Sequence, residues 1–247
     1  MEKNLLLSKF MKLPNILAAI SLREDKNMKV YHETGKDLVA LINRKKFLNK
    51  LGLTENKVVS AKAVHGDNVE IVTSEDCGNY IPETDGLITN QKNVYLSVTV
   101  ADCLPVVIFE PLKEIICLMH CGWMGHEKKI IKKVVEKMTG NFDVNPEDLL
   151  AGIGPSIGGC HFEVKEDFLL KFKSYPEAIL KKHGKNYVNL KDIAKKQLEA
   201  ARIKEENIEI SPICTYCHSD KYFSFRKDKS RPLEAMIVIA GMPDRSC

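Results

Sequence analysis

Residues 95–131 read Y-L-S-V-T-V-A-D-C-L-P-V-V-I-F-E-P-L-K-E-I-I-C-L-M-H-C-G-W-M-G-H-E-K-K-I-I. The pattern is strand, sharp turn, strand, strand, turn, helix. Cys103 sits in the first turn, between Asp102 and Leu104-Pro105. His120 closes the third apolar run, just before Cys121-Gly122-Trp123. A thiol and an imidazole therefore fall at two strand ends, and strand ends that run into loops are where sites are built. Taken singly, each has an ordinary reading as a buried cysteine or a satisfied histidine. Read together, and with His65 upstream, they form a candidate site.

Working outward, the chain has 247 residues, 44% hydrophobic and 28% charged, which is a globular composition. The formal net charge is +4, with lysines and acids interspersed, so no block reads as a nucleic-acid arm. That balance allows anionic small substrates. No apolar run reaches the length of a membrane span. Cysteines stand at 77, 103, 117, 121, 160, 214, 217 and 247. A chain this rich in core residues does not need disulfides. The apolar segment Ile16–Leu22 follows Pro14-Asn15 and is followed by Arg23-Glu24-Asp25, which suits a first strand better than a signal peptide. These features predict a cytoplasmic protein with reduced thiols.

Asp37 opens a helix, with Leu38, Leu41, Ile42, Phe47, Leu48 and Leu51 at helical spacing and Gly52 as its C-terminal cap. It carries Asn43-Arg44-Lys45-Lys46, which reads either as a solvated face or as an anion-binding face. Lys57–Val64 alternates as a strand and Val69–Thr73 as another, so His65-Gly66 is expected in a hairpin or strand-end turn that glycine tightens. Thr84-Asp85-Gly86 turns into a short strand. Glu127, Ile130, Ile131, Val134, Val135 and Met138 mark an amphipathic helix, expected to close at Gly140. Its N-terminal amides would face the region of His120 and favour an anion there. Leu149–Ile153 and Ile208–Ile213 read as strands, Lys165–Lys173 and Leu190–Ala201 as helices, and Met236–Ala240 as a last strand. Gly154–His161 is glycine-rich but fits no nucleotide-binding loop. There is no repeat and no evident linker, so residues 1–247 are expected to form a single domain of interleaved strands and helices.

His65, Cys103 and His120 offer two imidazoles and a thiolate, a donor set that suits zinc. Three protein ligands leave a fourth position open, as catalytic sites do. Other chemistries use the same residues. Cys103 with His120 could serve as nucleophile and base. Cys214-Thr215-Tyr216-Cys217-His218 matches a haem-attachment string, but that chemistry belongs to exported proteins. As a zinc knuckle it lacks a second C-x-x-C, which leaves a plain structural turn as its simplest reading.

Several separated motifs resemble one family. They are V-H-G at 64–66, D-G-L-I-T at 85–89, A-D-C-L-P-V at 101–106 and H-C-G-W-M-G at 120–125. With them go I-G-P-S-I at 153–157, F-E-V at 162–164, C-T at 214–215 and F-S-F-R-K-D at 223–228. The chain resembles the multicopper polyphenol oxidoreductase (laccase-type) family, also called the peptidoglycan editing factor family. Its members include purine nucleoside phosphorylases with adenosine deaminase activity. The resemblance runs from about Pro14 to the C-terminus. It implies an α+β sandwich of mixed β-sheets flanked by helices, similar to the catalytic domain of cytotoxic necrotizing factor. It also implies a metal, mostly zinc, on His65, Cys103 and His120, with purine nucleosides and phosphate as substrates and a homodimer as the assembly. This chain departs from the family pattern at Ala63, where glutamine is usual, at Met124, where arginine is usual, and at Phe162, where tyrosine is usual. It also lacks a glycine pair after Arg23. No departure removes a ligand, but Met124 takes a positive charge from the site, for which Arg226, Arg231 or Arg44 would have to substitute. The older family name implies copper-dependent phenol oxidation instead, yet the chain holds only seven histidines, too few for several copper ions. Two further readings remain, the first from the fold analogy and the second non-enzymatic. One is a cysteine hydrolase acting in cell-wall metabolism, and the other a zinc-stabilised partner protein in cell-wall assembly.

Overall fold

Leu104–Glu110 and Ile115–Cys121 are buried at every residue. They pair antiparallel in a register that sets Leu104 opposite Cys121 and Pro105 opposite His120. Strands covered on both faces need apolar residues at every position, which explains why these runs show no polar alternation. Val106, Ile108, Cys117 and Met119 point into one core, and Val107, Phe109, Ile116 and Leu118 into another. The computed structural model describes Leu13, residues 15–32 and residues 35–244. Pro14 and Cys247, named above, lie outside them.

The hairpin forms the centre of a six-stranded mixed sheet. Its order is Ile208–Ile210, Leu150–Ile153, Leu104–Glu110, Ile115–Cys121, Gly86–Thr89 and Val69–Ile71. A five-stranded sheet stacks on it, in the order Leu17–Ile20, Met236–Gly241, Tyr95–Val100, Val58–Ala61 and Tyr80–Ile81. The core between the sheets joins Val59, Leu96, Val98 and Val238 to Val107, Phe109 and Leu118. The helices Ile130–Phe142 and Leu190–Ala200 cover the outer face of the six-stranded sheet through Ile131, Val134, Ile193 and Leu198. The helix Leu38–Lys50 covers the other sheet through Phe47 and Leu48, against Ile237 and Ile239. The result is an α+β architecture of helix, sheet, sheet and helix layers. No helix among the described residues is long and apolar enough to cross a membrane.

The first helix begins at its expected cap. Asp37 accepts from the Ala40 amide, and Gly52 follows its end at φ +73°. Four expectations need correction. Val58–Ala61 and Val69–Ile71 belong to different sheets, so His65-Gly66 lies on a crossover rather than in a hairpin. The left-handed residue there is His65, at φ 58°, not Gly66. The segment after His120 forms two helices, Trp123–Glu127 and Ile130–Phe142, broken where Lys129 adopts φ 59°. Gly140 lies within the second, which ends at Asp143 in the left-handed region that Asp tolerates. A small sheet of Glu163–Val164, Lys185–Val188 and Ile179–Lys182 had no clear sequence signal, because two of its strands carry mostly lysine and partly exposed residues.

Candidate active site

The hairpin register builds most of the site. Cys103 enters the strand whose first residue pairs with Cys121, so its thiol lies across from His120 and Gly122. Asp102 takes φ 82° to make that entry. Gly86 pairs with Met119 on the other side of the hairpin, which brings Asp85 to His120. The His120 amide donates to the Asp85 carbonyl at 2.7 Å. The crossover then delivers His65, whose ring meets that of His120 edge-on at 4.7 Å between centroids. The ligating atoms of His65, Cys103 and His120 all lie within 4.8 Å of one another.

Asp85 holds this arrangement and is fully buried. One oxygen accepts from the His65 amide at 3.0 Å and lies 2.8 Å from His120 Nδ1. The other accepts from the amides of Val64 at 3.1 Å and Gly66 at 2.8 Å. Gly66 is needed for that approach, since a Cβ there would lie 3.2 Å from the carboxylate. With Nδ1 taken by Asp85, Nε2 of His120 is left to face Cys103 and any bound ion. This is how an outer carboxylate fixes a ligating histidine.

Asp102 is the second organiser. It accepts from Thr215 Oγ1 at 2.6 Å, from Ser224 Oγ at 3.1 Å and from the Arg226 amide at 2.7 Å. Its neighbour Cys103 is thereby tied to two distant loops. The sequence motifs around Asp85 and Asp102 stood out, but neither carboxylate's role was legible. Each acts through amides and side chains that only the fold brings to it.

Burial alone would raise the Cys103 thiol, yet the facing imidazoles of His120 and His65 bring it down to about 6. Burial would lower His120, but the Cys103 charge and Asp85 push it well up. Asp85 is destabilised as an anion by burial, and His120 with the Gly66 and Val64 amides more than offsets this, holding it below the usual carboxylate range. A thiolate beside an imidazole is the ionisation that metal binding needs at the sulfur.

The donor set fits zinc. One soft sulfur and two imidazoles converge, and Gly122 leaves room between them. A Cβ at 122 would lie 3.1 Å from Cys103 Sγ and 3.2 Å from His65 Cδ2. The site opens on a cavity of about 500 Å³ whose lining includes His65, Cys103, Trp123, Phe162, Phe168 and Arg226. Trp123 and Phe168 pack edge-on at 4.9 Å, and the Arg226 guanidinium lies over Phe162 at 5.1 Å while donating to the Glu163 carbonyl at 2.7 Å. Arg226 therefore joins the three candidate ligands.

Arg44 does not. It lies under the five-stranded sheet, 6% exposed, donating to the Met28 carbonyl, Ser60 Oγ and Tyr80 Oη. Lys45 and Lys46 beside it are exposed, so the charged run splits between core and solvent. Lys29, unremarked in the sequence, is close enough for the Cys103 charge to act against the lowering of its pKa by burial.

Comparison with known proteins places the chain in a family. The family model described as multi-copper polyphenol oxidoreductase laccase matches residues 24–240. The chain belongs to that family. A Bacillus subtilis protein named purine nucleoside phosphorylase YlmD is 29% identical over 225 residues, covering 86% of this chain and 81% of the relative. A Clostridium acetobutylicum protein named purine nucleoside phosphorylase CA_C1699 is 32% identical over 171 residues, covering 68% and 70%. The crystal structure of Bacillus licheniformis hypothetical protein YfiH superposes with a TM-score of 0.86 at 27% identity, over 96% of each chain. That of YlmD from Geobacillus stearothermophilus, at 24% identity, shares the fold with a TM-score of 0.87 over 94% of this chain and 93% of that one.

Proposed function

We propose that this chain is a zinc-dependent purine nucleoside enzyme. It would phosphorolyse adenosine, inosine, guanosine and methylthioadenosine, and deaminate adenosine. The observation that carries the reading is a three-ligand cluster opening on a cavity walled by Trp123, Phe162 and Phe168. Two relatives with purine nucleoside phosphorylase names support the substrate class. His65, Cys103 and His120 would hold the zinc, which would supply Lewis acidity to a bound oxygen.

The aromatic wall supplies flat apolar surface for a purine ring. In phosphorolysis a phosphate oxygen attacks the anomeric carbon, the glycosidic C–N bond breaks, and the purine leaves with the electron pair and takes up a proton. Arg226 and Lys165 line the cavity and would hold the phosphate charge. Asp85 keeps the His120 ring in place throughout. In deamination, water adds oxygen at C6 of adenine and ammonia leaves.

The test is product analysis on metal-quantified protein given adenosine with and without phosphate. Adenine formed only with phosphate supports phosphorolysis, and inosine supports deamination. Neither product from protein carrying metal at this site would remove the purine reading.

One observation favours a second reading. Cys103, His120 and Asp85 also form a thiol, imidazole and carboxylate series, the arrangement of a cysteine hydrolase. Such an enzyme would keep its amide-cleaving activity under mild chelation and lose it on alkylation of Cys103. A zinc enzyme would lose turnover in the chelator.

A further inference from the structure

The loop that follows Leu150–Ile153 and the loop that follows Ile208–Ile210 meet beside the cavity. Ser156 and Cys214 form a parallel bridge there. The contact gathers Cys160, His161, Cys214 and Cys217, whose ligating atoms all lie within 4.8 Å of one another. The C-x-x-C at 214–217 thus has the second ligand pair that the sequence did not reveal, supplied by adjacent residues 160 and 161 rather than by another C-x-x-C.

The distances match a tetrahedral ion better than they match free thiols or a disulfide. Zinc bound at about 2.3 Å to sulfur and about 2.0 Å to nitrogen sets S···S edges of about 3.8 Å and S···N edges of about 3.5 Å. Cys160 and Cys217 sulfurs are 3.7 Å apart, far beyond a disulfide length of about 2.05 Å. His161 Nδ1 lies 3.2 Å from Cys160, 3.3 Å from Cys217 and 4.0 Å from Cys214. One nitrogen facing three sulfurs is what a shared ion requires, and a disulfide would not require it. Outer contacts are also built. The Gly158 amide donates to Cys214 Sγ at 3.2 Å, and His161 stacks on Tyr216 at 4.0 Å. Three thiolates and a neutral imidazole around a divalent ion leave one negative charge. Lys227 lies over the Tyr216 ring at 5.2 Å, and Lys191 donates to the Ile213 carbonyl just before Cys214.

We propose that Cys160, His161, Cys214 and Cys217 bind a second divalent zinc ion in a closed, four-ligand structural site. The three thiols release their protons to solvent as the ion binds. The ion staples the two loops that carry the cavity wall. Phe162 and Glu163 directly follow His161, and Thr215, between two of the ligands, donates to Asp102 beside Cys103. The proposal does not depend on the purine reading.

The experiment is metal analysis of the full chain purified without chelator, alongside Cys160→Ser/Cys217→Ser and His120→Ala. Two zinc equivalents are expected in the wild type and one in each variant. Replacing zinc with cobalt in the wild type should give intense sulfur-to-cobalt absorption from the three-thiolate site, and that band should persist in His120→Ala. The cobalt spectrum of the wild type decides the matter if the double variant fails to fold. Two equivalents retained in Cys160→Ser/Cys217→Ser, or a single equivalent in the wild type that this variant keeps, would overturn the proposal. So would a Cys160–Cys217 disulfide in protein prepared without oxygen, or a wild-type cobalt spectrum too weak for more than one thiolate.

Discussion

His65, Cys103 and His120 on one side, and Cys160, His161, Cys214 and Cys217 on the other, are two clusters of the same residue types with opposite surroundings. The first sits where strands end, with His120 4% exposed and its carboxylate partner fully buried. The second lies on loops, with Cys160 and Cys217 exposed and Cys214 buried. The first offers three donors and an adjoining cavity, while the second offers four donors within 4.8 Å of one another. An open position suits chemistry, and a closed shell suits structure. Thr215 and Asp102 join the two, since one hydrogen bond connects the second cluster's loop to the residue before Cys103.

The sharpest way to break this contrast is at the first cluster. Cys103→Ala should lower turnover by more than about 100-fold, the upper range for losing an outer partner of a ligand. It should leave the zinc bound to the loop cluster in place, which metal analysis and product assays would show together. Retained turnover in Cys103→Ala would end both the metal and the thiol readings. Asp85→Asn should cost about 10- to 100-fold in metal affinity at the first cluster, since it weakens the hold on the His120 ring. Competition with a chromophoric chelator measures that cost, and unchanged affinity would show that Asp85 serves folding alone.

The two arginines separate site from scaffold. Arg226→Ala should raise the KM for phosphate about tenfold, the cost of about one charge-assisted hydrogen bond. Arg44→Ala should leave that KM unchanged. It should instead destabilise the fold by about 2–4 kcal/mol, because the Met28 carbonyl, Ser60 and Tyr80 lose a buried partner. Kinetics and denaturant unfolding on both variants check the pair, and an equal KM effect would return Arg44 to the site.

In metal-free protein, alkylation of Cys103 should be half-maximal near pH 6, because its thiol titrates at about 6 and not at the ordinary value of 9. The thiolate is present above that pH, and as pH falls through it the proton returns and alkylation slows. A midpoint near 9 would mean that the imidazoles do not hold the thiolate. The smallest effect belongs to Met124→Arg. Met124 is half-buried on the short helix Trp123–Glu127, so an added cation should lower the phosphate concentration needed by a few-fold at most, in keeping with a partly screened charge. Unchanged phosphate dependence would show that residue 124 does not face the anion.

The strand pattern of residues 104–109 and 115–119 was legible because both sheet faces are covered there, which calls for apolar residues in succession. The candidate triple that the fold brings together stood out because Cys103 and His120 stand at the ends of those runs. What stayed hidden depended on pairing across distance. Tyr95–Val100 and Leu104–Glu110 are separated by three residues yet lie in different sheets, and local periodicity does not encode that switch. Arg44 and Lys45 are neighbours on one helix, and only the covering sheet decides that one is buried and the other solvated. Cys160-His161 and Cys214–Cys217 each read as a turn, because a shared tetrahedron leaves no periodic trace in either segment. Sequence by itself determined the core strands, the caps of the first helix and the chemical identity of the donors, since these follow from local spacing and side-chain type. Tertiary structure alone decided which donors meet and which carboxylate orients them, because those contacts depend on strand register and loop crossing between residues far apart in the chain.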